Sequence, residues 1–262
     1  MTIRDHTKMR PDPNDTLAET VERLPRWLLA KCISTTDDDL ASLFVLQSTA
    51  NNGDCLFHSI RLCLFELMDN PYTSHELRWG VAKTILNEKD QRAKSALQLW
   101  KAAIESAKSQ NGDLDKELII EYLFALPLLR VEPDENGIFP QGARREVFEN
   151  MMKSNIYWGD QYALLVLQEL LNVNIIVLKK HLQVSNTGVH IEAKGQIITS
   201  SQQSNDNDDD QVAGPELNLM LCLDEAHYRP IIQNLETRCE REFPFKTLFE
   251  KENIPDFISR CF

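Results

Sequence analysis

Asn51-Asn52-Gly53-Asp54-Cys55-Leu56-Phe57-His58-Ser59-Ile60 is the stretch around which the rest of the chain is arranged. Its first four residues favour turns and suit a helix interior poorly. From the cysteine onward the apolar positions Leu56, Ile60, Cys63, Leu64 and Leu67 recur at helical spacing. A turn that delivers Cys55 to the first turn of a helix favours its thiolate, because backbone N–H groups and the positive end of the helix dipole face it. The thiolate is the nucleophile in cysteine catalysis.

Upstream, residues 1–16 are polar and read as a flexible tail, and a short amphipathic helix interrupted by Pro25 is expected around Ala18 to Cys32. Thr35-Thr36-Asp37-Asp38-Asp39 resembles a cap before the apolar Leu40, Leu43, Phe44 and Leu46. Downstream, Asn70-Pro71 should end the nucleophile helix. Ser74 should cap the next, with Leu77, Val81 and Ile85 as its buried stripe. Two or three more helices are expected between Asp90 and Leu126, then a loop over 131–142 and a short helix over Ala143 to Met152.

After Tyr157-Trp158-Gly159-Asp160 a strongly periodic segment runs to Leu171 and is closed by Asn172-Val173-Asn174. Ile175 to Leu178 reads as a buried strand, and weaker strands around Val189 to Ala193 and Gln196 to Thr199 look like a hairpin. Residues 200–214 form an acidic, low-complexity stretch expected to be a mobile loop. Leu217 to Leu223 is a strong strand, and His227 to Ile232 its antiparallel partner beyond a turn at Asp224-Glu225-Ala226. A terminal helix is expected near Pro255 to Phe262. Helices first and strands later predict an α+β arrangement.

Composition narrows the function classes. The chain has 262 residues and a net charge of −12, which disfavours nucleic acid as a partner, since phosphate binding draws on Lys and Arg. No apolar run approaches the roughly 20 residues of a bilayer span, so no membrane role is expected. No apolar signal region follows Met1, and the cytosol is the expected location, or a host's cytosol if the source is a pathogen. The six cysteines contain no C-x-x-C pair, and no His sits at zinc-ligand spacing, so neither a metal nor a disulfide framework is expected. Cys32, Cys63, Cys222, Cys239 and Cys261 read as small buried hydrophobes.

Three motifs then fall in a familiar order. Gly53-Asp54-Cys55-Leu56-Phe57-His58-Ser59 resembles the nucleophile motif of the ovarian-tumour (OTU) family of cysteine proteases. Trp158-Gly159-Asp160, an apolar helix and Asn174-Ile175-Ile176-Val177-Leu178 look like that family's central helix and strand, and His227-Tyr228 is similar to its catalytic-histidine motif. The resemblance covers roughly residues 45–232. It implies a papain-like α+β fold with a central, mostly antiparallel sheet between helical layers. It places an OTU-like catalytic domain at 41–235, between a partly flexible extension at 1–40 and a C-terminal extension at 236–262.

The implied activity is that of a deubiquitinase, a thiol isopeptidase that needs no cofactor and acts as a monomer on ubiquitin or polyubiquitin. Cys55 would be the nucleophile and His227 its base, with the backbone amides of Asp54 and Cys55 as the oxyanion hole. The family often places Asp or Asn two residues after the histidine to orient the ring; here that position is Arg229, which cannot accept a hydrogen bond. Asn52 stands where many members have Asp, and either accepts the imidazole N–H or donates to the oxyanion, with the oxyanion role favoured. Asp37, Asp38 and Asp39 are further candidates for the orienting acceptor. His58 and Trp158 read as structural, and Gly159 as permitting a tight turn. Two alternatives stand beside the protease: an inactive OTU-like ubiquitin-binding module, and a cysteine hydrolase or transferase acting on another ubiquitin-like modifier or acyl group.

Overall fold

The computed structural model describes residues 21–29, 43–49, 52–65, 72–109, 141–185, 188–198, 215–224, 226–234 and 245–262. Outside them lie the tail at 1–16, the Asp37–Asp39 run, Cys32 and Cys239, Leu67 with Asn70-Pro71, the helices expected beyond residue 109, the loop at 131–140 and the acidic stretch at 200–214.

In chain order the described elements are β1 (Val21–Arg23), α1 (Arg26–Leu29), β2 (Phe44–Gln47), α2 (Cys55–Leu64), α3 (Ser74–Ile85), α4 (Gln91–Ser109), α5 (Gln141–Met151) and α6 (Gln161–Leu171). Then come β3 (Asn174–Ser185), β4 (Gly188–Ile198), β5 (Leu217–Asp224), β6 (His227–Asn234), β7 (Phe245–Lys246), β8 (Leu248–Glu250), a 3-10 turn (Lys251–Asn253) and α7 (Asp256–Ser259). The fold is α+β. The chain divides into two compact units, whose described residues fall within Ala50–Phe57 and Tyr72–Leu167 for the first, and Pro13–Thr49, His58–Pro71 and Gln168–Phe262 for the second.

The first unit is helical. Ser74, Leu77, Arg78, Val81, Ala82 and Ile85 form the buried face of α3, at the three- and four-residue intervals that share one side of a helix. Its cap is Thr73 and not Ser74. Thr73 Oγ1 accepts from the Glu76 N–H at 3.1 Å, and Glu76 Oε2 accepts from the Thr73 N–H at 2.7 Å. The reciprocal pair needs its carboxylate three residues past the cap, and only Thr73 has one there. Leu97 and Trp100 on α4, Val147 and Met151 on α5, and Tyr157 and Tyr162 complete this core.

The second unit is a mixed sheet in the order β1-β2-β6-β5-β3-β4, with β7 paired to β6 and β8 to β5. Every pairing is antiparallel except β3 with β5, where Asn174 stands opposite Asn218. Its core joins Phe44 and Leu46 of β2 to Ile176, Leu178, Met220, Cys222, Ile231, Phe249, Phe257 and Ile258. Full burial of each such side chain contributes about 1.5–3 kcal/mol. Segments expected to be terminal extensions thus supply three paired strands, β1, β7 and β8, and several core side chains.

Three further local expectations are corrected. Of the helix expected around Ala18 to Cys32, only residues 21–29 are described: before Pro25, Val21–Arg23 is a strand, β1, and after it Arg26–Leu29 is the helical turn α1. Phe44 to Gln47, expected to continue a capped apolar helix, is a strand held between β1 and β6. The hairpin expected between Val189–Ala193 and Gln196–Thr199 is one strand, β4, which pairs along its whole length with β3. Gly195 lies between the two expected strands, and its missing side chain makes room for the Phe262 ring.

Candidate active site

Cys55 is the first residue of α2 and is buried, with 2% of its surface exposed. The turn before it depends on Gly53, whose φ of +82° is open to glycine at no steric cost. A side chain there would also run into the carbonyl of Ser154 and the Trp158 ring. Asn52 is exposed, and its Oδ1 accepts the Asp54 N–H at 3.2 Å. The Asp54 amide proposed for the oxyanion is therefore engaged by the neighbouring side chain.

Arg78 holds this turn from below. Its side chain, 2% exposed, donates Nε–H to Asp54 Oδ1 at 2.8 Å and Nη2–H to the Gly53 carbonyl at 2.8 Å. Nη1–H reaches the Met151 carbonyl at 2.7 Å and the Tyr157 carbonyl at 2.6 Å, and the guanidinium lies 4.5 Å from the Phe57 ring centroid. Only the planar, five-donor arginine head can serve these acceptors together.

The Trp158-Gly159-Asp160 segment packs against the same turn. Gly159 has φ +85°, as the tight turn requires, and an added Cβ would strike Leu56. Asp160 caps α6 by accepting the Ala163 N–H at 3.2 Å, and also accepts Trp100 Nε1–H and the Tyr157 hydroxyl at 2.7 Å each. Burial raises the Asp160 carboxyl above its ordinary value against those three bonds. The motif's aspartate thus fastens two helices and a turn. At the far end of α6, Asn172 takes φ 53° and stops the helix where the sequence placed its end.

His227 opens β6 in the second unit, opposite Asp224 of β5. Its Nε2 lies 3.3 Å from Thr49 Oγ1, and Thr49 Oγ1 donates to the Tyr228 carbonyl at 2.8 Å. Nδ1 is buried and has no hydrogen-bond partner among the described residues. Burial lowers the imidazole pKa, and the Arg229 guanidinium lowers it further, while Glu22 and Asp224 pull it up. Arg229 itself pairs with Glu22 at 2.7 Å and with Asp224 at 3.5 Å. Ser59, one turn along the helix that Cys55 begins, donates to the Tyr228 carbonyl at 3.0 Å.

Cys55 and Asn52 therefore belong to the first unit and His227 to the second. Cys63, Cys222 and Cys261 are buried, and burial pushes the Cys222 thiol up to about 12. His58 is buried on α2. Among the described residues, no helix is long and apolar enough to cross a membrane.

Two contributors escaped the sequence reading. Arg78 carried a legible signal, a charge on the apolar stripe of α3, which requires buried partners. Thr49 carried none, since only the fold brings it to His227.

Residues 50–206, more than half of the chain, match the family model described as OTU-like cysteine protease. No curated protein sequence matches significantly. Among solved structures, the chain is similar to an ovarian tumour (OTU) domain in complex with ubiquitin, at 15% identity over 83% of this chain and 82% of that one, with a TM-score of 0.40. It is also similar to an OTU deubiquitinase from Wolbachia pipientis wMel bound to ubiquitin, at 16% identity over 73% and 96%, with a TM-score of 0.40. A viral OTU domain protease from Dera Ghazi Khan virus matches at 14% identity over 72% and 80%, with a TM-score of 0.33.

Proposed function

The chain belongs to the family of OTU-like cysteine proteases, and on that premise we propose that it is a deubiquitinase. The reaction is hydrolysis of the isopeptide bond between the C-terminal glycine of ubiquitin and a lysine side chain. The observation that carries the reading is the position of Cys55, first in a helix behind a glycine turn gripped by a buried arginine, inside the matched segment.

In this reading His227 takes the Cys55 thiol proton, and the thiolate sulfur attacks the isopeptide carbonyl carbon. The oxyanion of the tetrahedral intermediate is received by N–H donors at the helix start, the Cys55 amide and the Asn52 side-chain amide. The C–N bond then breaks, and the lysine amine leaves with the proton held by His227. Water, deprotonated by the same histidine, attacks the thioester and releases the glycine carboxylate, which restores the thiol. No metal or organic cofactor takes part.

A ubiquitin probe with an electrophilic C-terminus tests this. It should label the wild-type protein and leave Cys55→Ala unlabelled; labelling that survives the substitution would sink the assignment. The competing reading, a binding module without turnover, is favoured by Arg229, which is tied to Glu22 and Asp224 where the family often orients its histidine. That reading predicts slow iodoacetamide reaction at Cys55, with the ordinary thiol midpoint near about 8.5.

A further inference from the structure

We infer that Thr49 is the positioning residue for His227, doing through a hydroxyl what the family often does with the side chain at the position of Arg229. The inference rests on the reading of His227 as the catalytic base.

Proton counting carries it. A threonine hydroxyl has one proton and two lone pairs. Thr49 Oγ1 lies 2.8 Å from the Tyr228 carbonyl oxygen, which can only accept, so the hydroxyl proton goes there. What Oγ1 then offers to His227 Nε2, 3.3 Å away, is a lone pair. The neutral imidazole must place its one proton on Nε2 to use it, and the basic lone pair falls on Nδ1. Nδ1 is the ring nitrogen that is buried and has no hydrogen-bond partner among the described residues. The ring is thus held in one tautomer and one orientation, with its base on the nitrogen that the protein leaves unsatisfied. Among the described residues no carboxylate hydrogen-bonds the ring; Glu22 and Asp224 are both engaged by Arg229.

The relay is anchored on both sides. Thr49 lies two residues beyond β2, and Val45 and Leu46 of β2 pair with Ile232 and Ile231 of β6, so the strand that carries His227 anchors the segment of the residue that orients it. The Tyr228 carbonyl uses its second lone pair for the Ser59 hydroxyl, 3.0 Å away. Removing the Thr49 hydroxyl therefore leaves that buried carbonyl with a donor, and Thr49→Val, nearly the same shape, should fold.

When His227 takes up a proton both ring nitrogens become donors, and the Nε2–H bond to Thr49 remains in place. The hydroxyl adds no negative charge, so the imidazolium gains a dipole and not an ion pair. Arg229 beside it makes the same form still less favourable.

The test is histidine 15N spectroscopy on the full chain, with His227 identified by loss of its signal in His227→Gln, combined with ubiquitin-probe labelling. The wild type should show the Nε2–H tautomer at a pH where the ring is neutral. Thr49→Val should mix the tautomers and slow labelling by about 10- to 100-fold, part of the roughly 10²–10⁴ that a positioned acid–base contributes. Thr49→Ser should restore both, and Ser59→Ala should leave the tautomer as in the wild type. An Nδ1–H tautomer in the wild type, or Thr49→Val with an unchanged tautomer, overturns the inference. A wild type that resists the probe, yet loses its Nε2–H preference in Thr49→Val, supports the inference about Thr49 and rejects the deubiquitinase reading.

Discussion

Arg78 donates to the carbonyl oxygen of Gly53 at 2.8 Å, so the residue that gives the nucleophile turn its unusual backbone is held from another helix. Replacing Arg78 by alanine leaves the Asp54 carboxylate and three carbonyls without their donor. Breaking a buried pair by removing one partner costs about 3–5 kcal/mol. Urea unfolding should show a loss of that size for Arg78→Ala. Arg78→Lys should recover less than half of it, since one ammonium cannot reach every acceptor or stack on Phe57.

The glycines separate strain from propensity. Gly53→Ala and Gly159→Ala force a side chain into left-handed backbone and into Ser154 or Leu56, and each should cost at least about 1–3 kcal/mol. Gly142 lies in α5 with open space around it. Gly142→Ala should be neutral or raise stability by up to about 1 kcal/mol. Thermal unfolding of the three variants side by side checks the ordering.

Asp160 should resist even an isosteric change. Its two oxygens accept three donors, so either orientation of an asparagine turns an NH₂ toward a Trp100, Tyr157 or Ala163 donor. Asp160→Asn should therefore destabilise by about 1–3 kcal/mol although it removes a buried charge. The raised carboxyl pKa gives the sign of its pH dependence. Its contribution favours the folded state most at pH below the unfolded value of 3.8 and is lost as pH rises through the folded value. Asp160→Asn should remove that component from a stability–pH curve.

His227 has the opposite sign. Its imidazole lies below the ordinary 6.5, so the unfolded chain takes up the proton first and stability falls as pH drops below that value. His227→Gln should flatten this part of the curve. In the proposed reaction only neutral His227 accepts the thiol proton, so the acid limb of kcat/KM against pH should have its midpoint below 6.5. Arg229→Gln removes a lowering charge and frees Glu22 and Asp224 to raise the pKa, so the midpoint should move upward.

Asn52 has two roles that one pair of substitutions separates. Its Oδ1 takes the Asp54 N–H, and its amide is the proposed oxyanion donor. Asn52→Asp keeps the acceptor and loses the donor, whereas Asn52→Ala loses both. Equal losses of kcat in the two variants assign the effect to the donor; a loss confined to Asn52→Ala assigns it to the turn.

How legible the molecule was depended on how local each contact is. The strand pair at Leu217 and His227, the helix begun by Cys55 and the stop at Asn172 were all legible, because their apolar period and turn residues lie within one short window. Phe44 to Gln47 misled because Leu40, Leu43 and Phe44 fall at helical intervals, while the partner that makes it a strand starts at His227. The hairpin expected over 189–199 misled because the glycine between its two halves, Gly195, is room for Phe262 within one continuous strand. Cys55 and His227 stood out as candidates by motif, whereas Arg78 and Thr49 make their contacts with neighbours distant in sequence. No periodicity reports such contacts.

The placement of β2 carries a consequence for how the chain is made. Phe44 pairs with Gln233, so this strand leaves the ribosome long before the partner on its inner side exists. At about 5–20 residues per second the interval is roughly ten to forty seconds, during which Phe44 and Leu46 have no sheet to enter. The helices from α3 to α6 are complete by then. Synthesis therefore delivers Cys55 and the helices that follow it before the strand that carries His227, and under the proposed reaction the nascent chain is idle until β6 emerges.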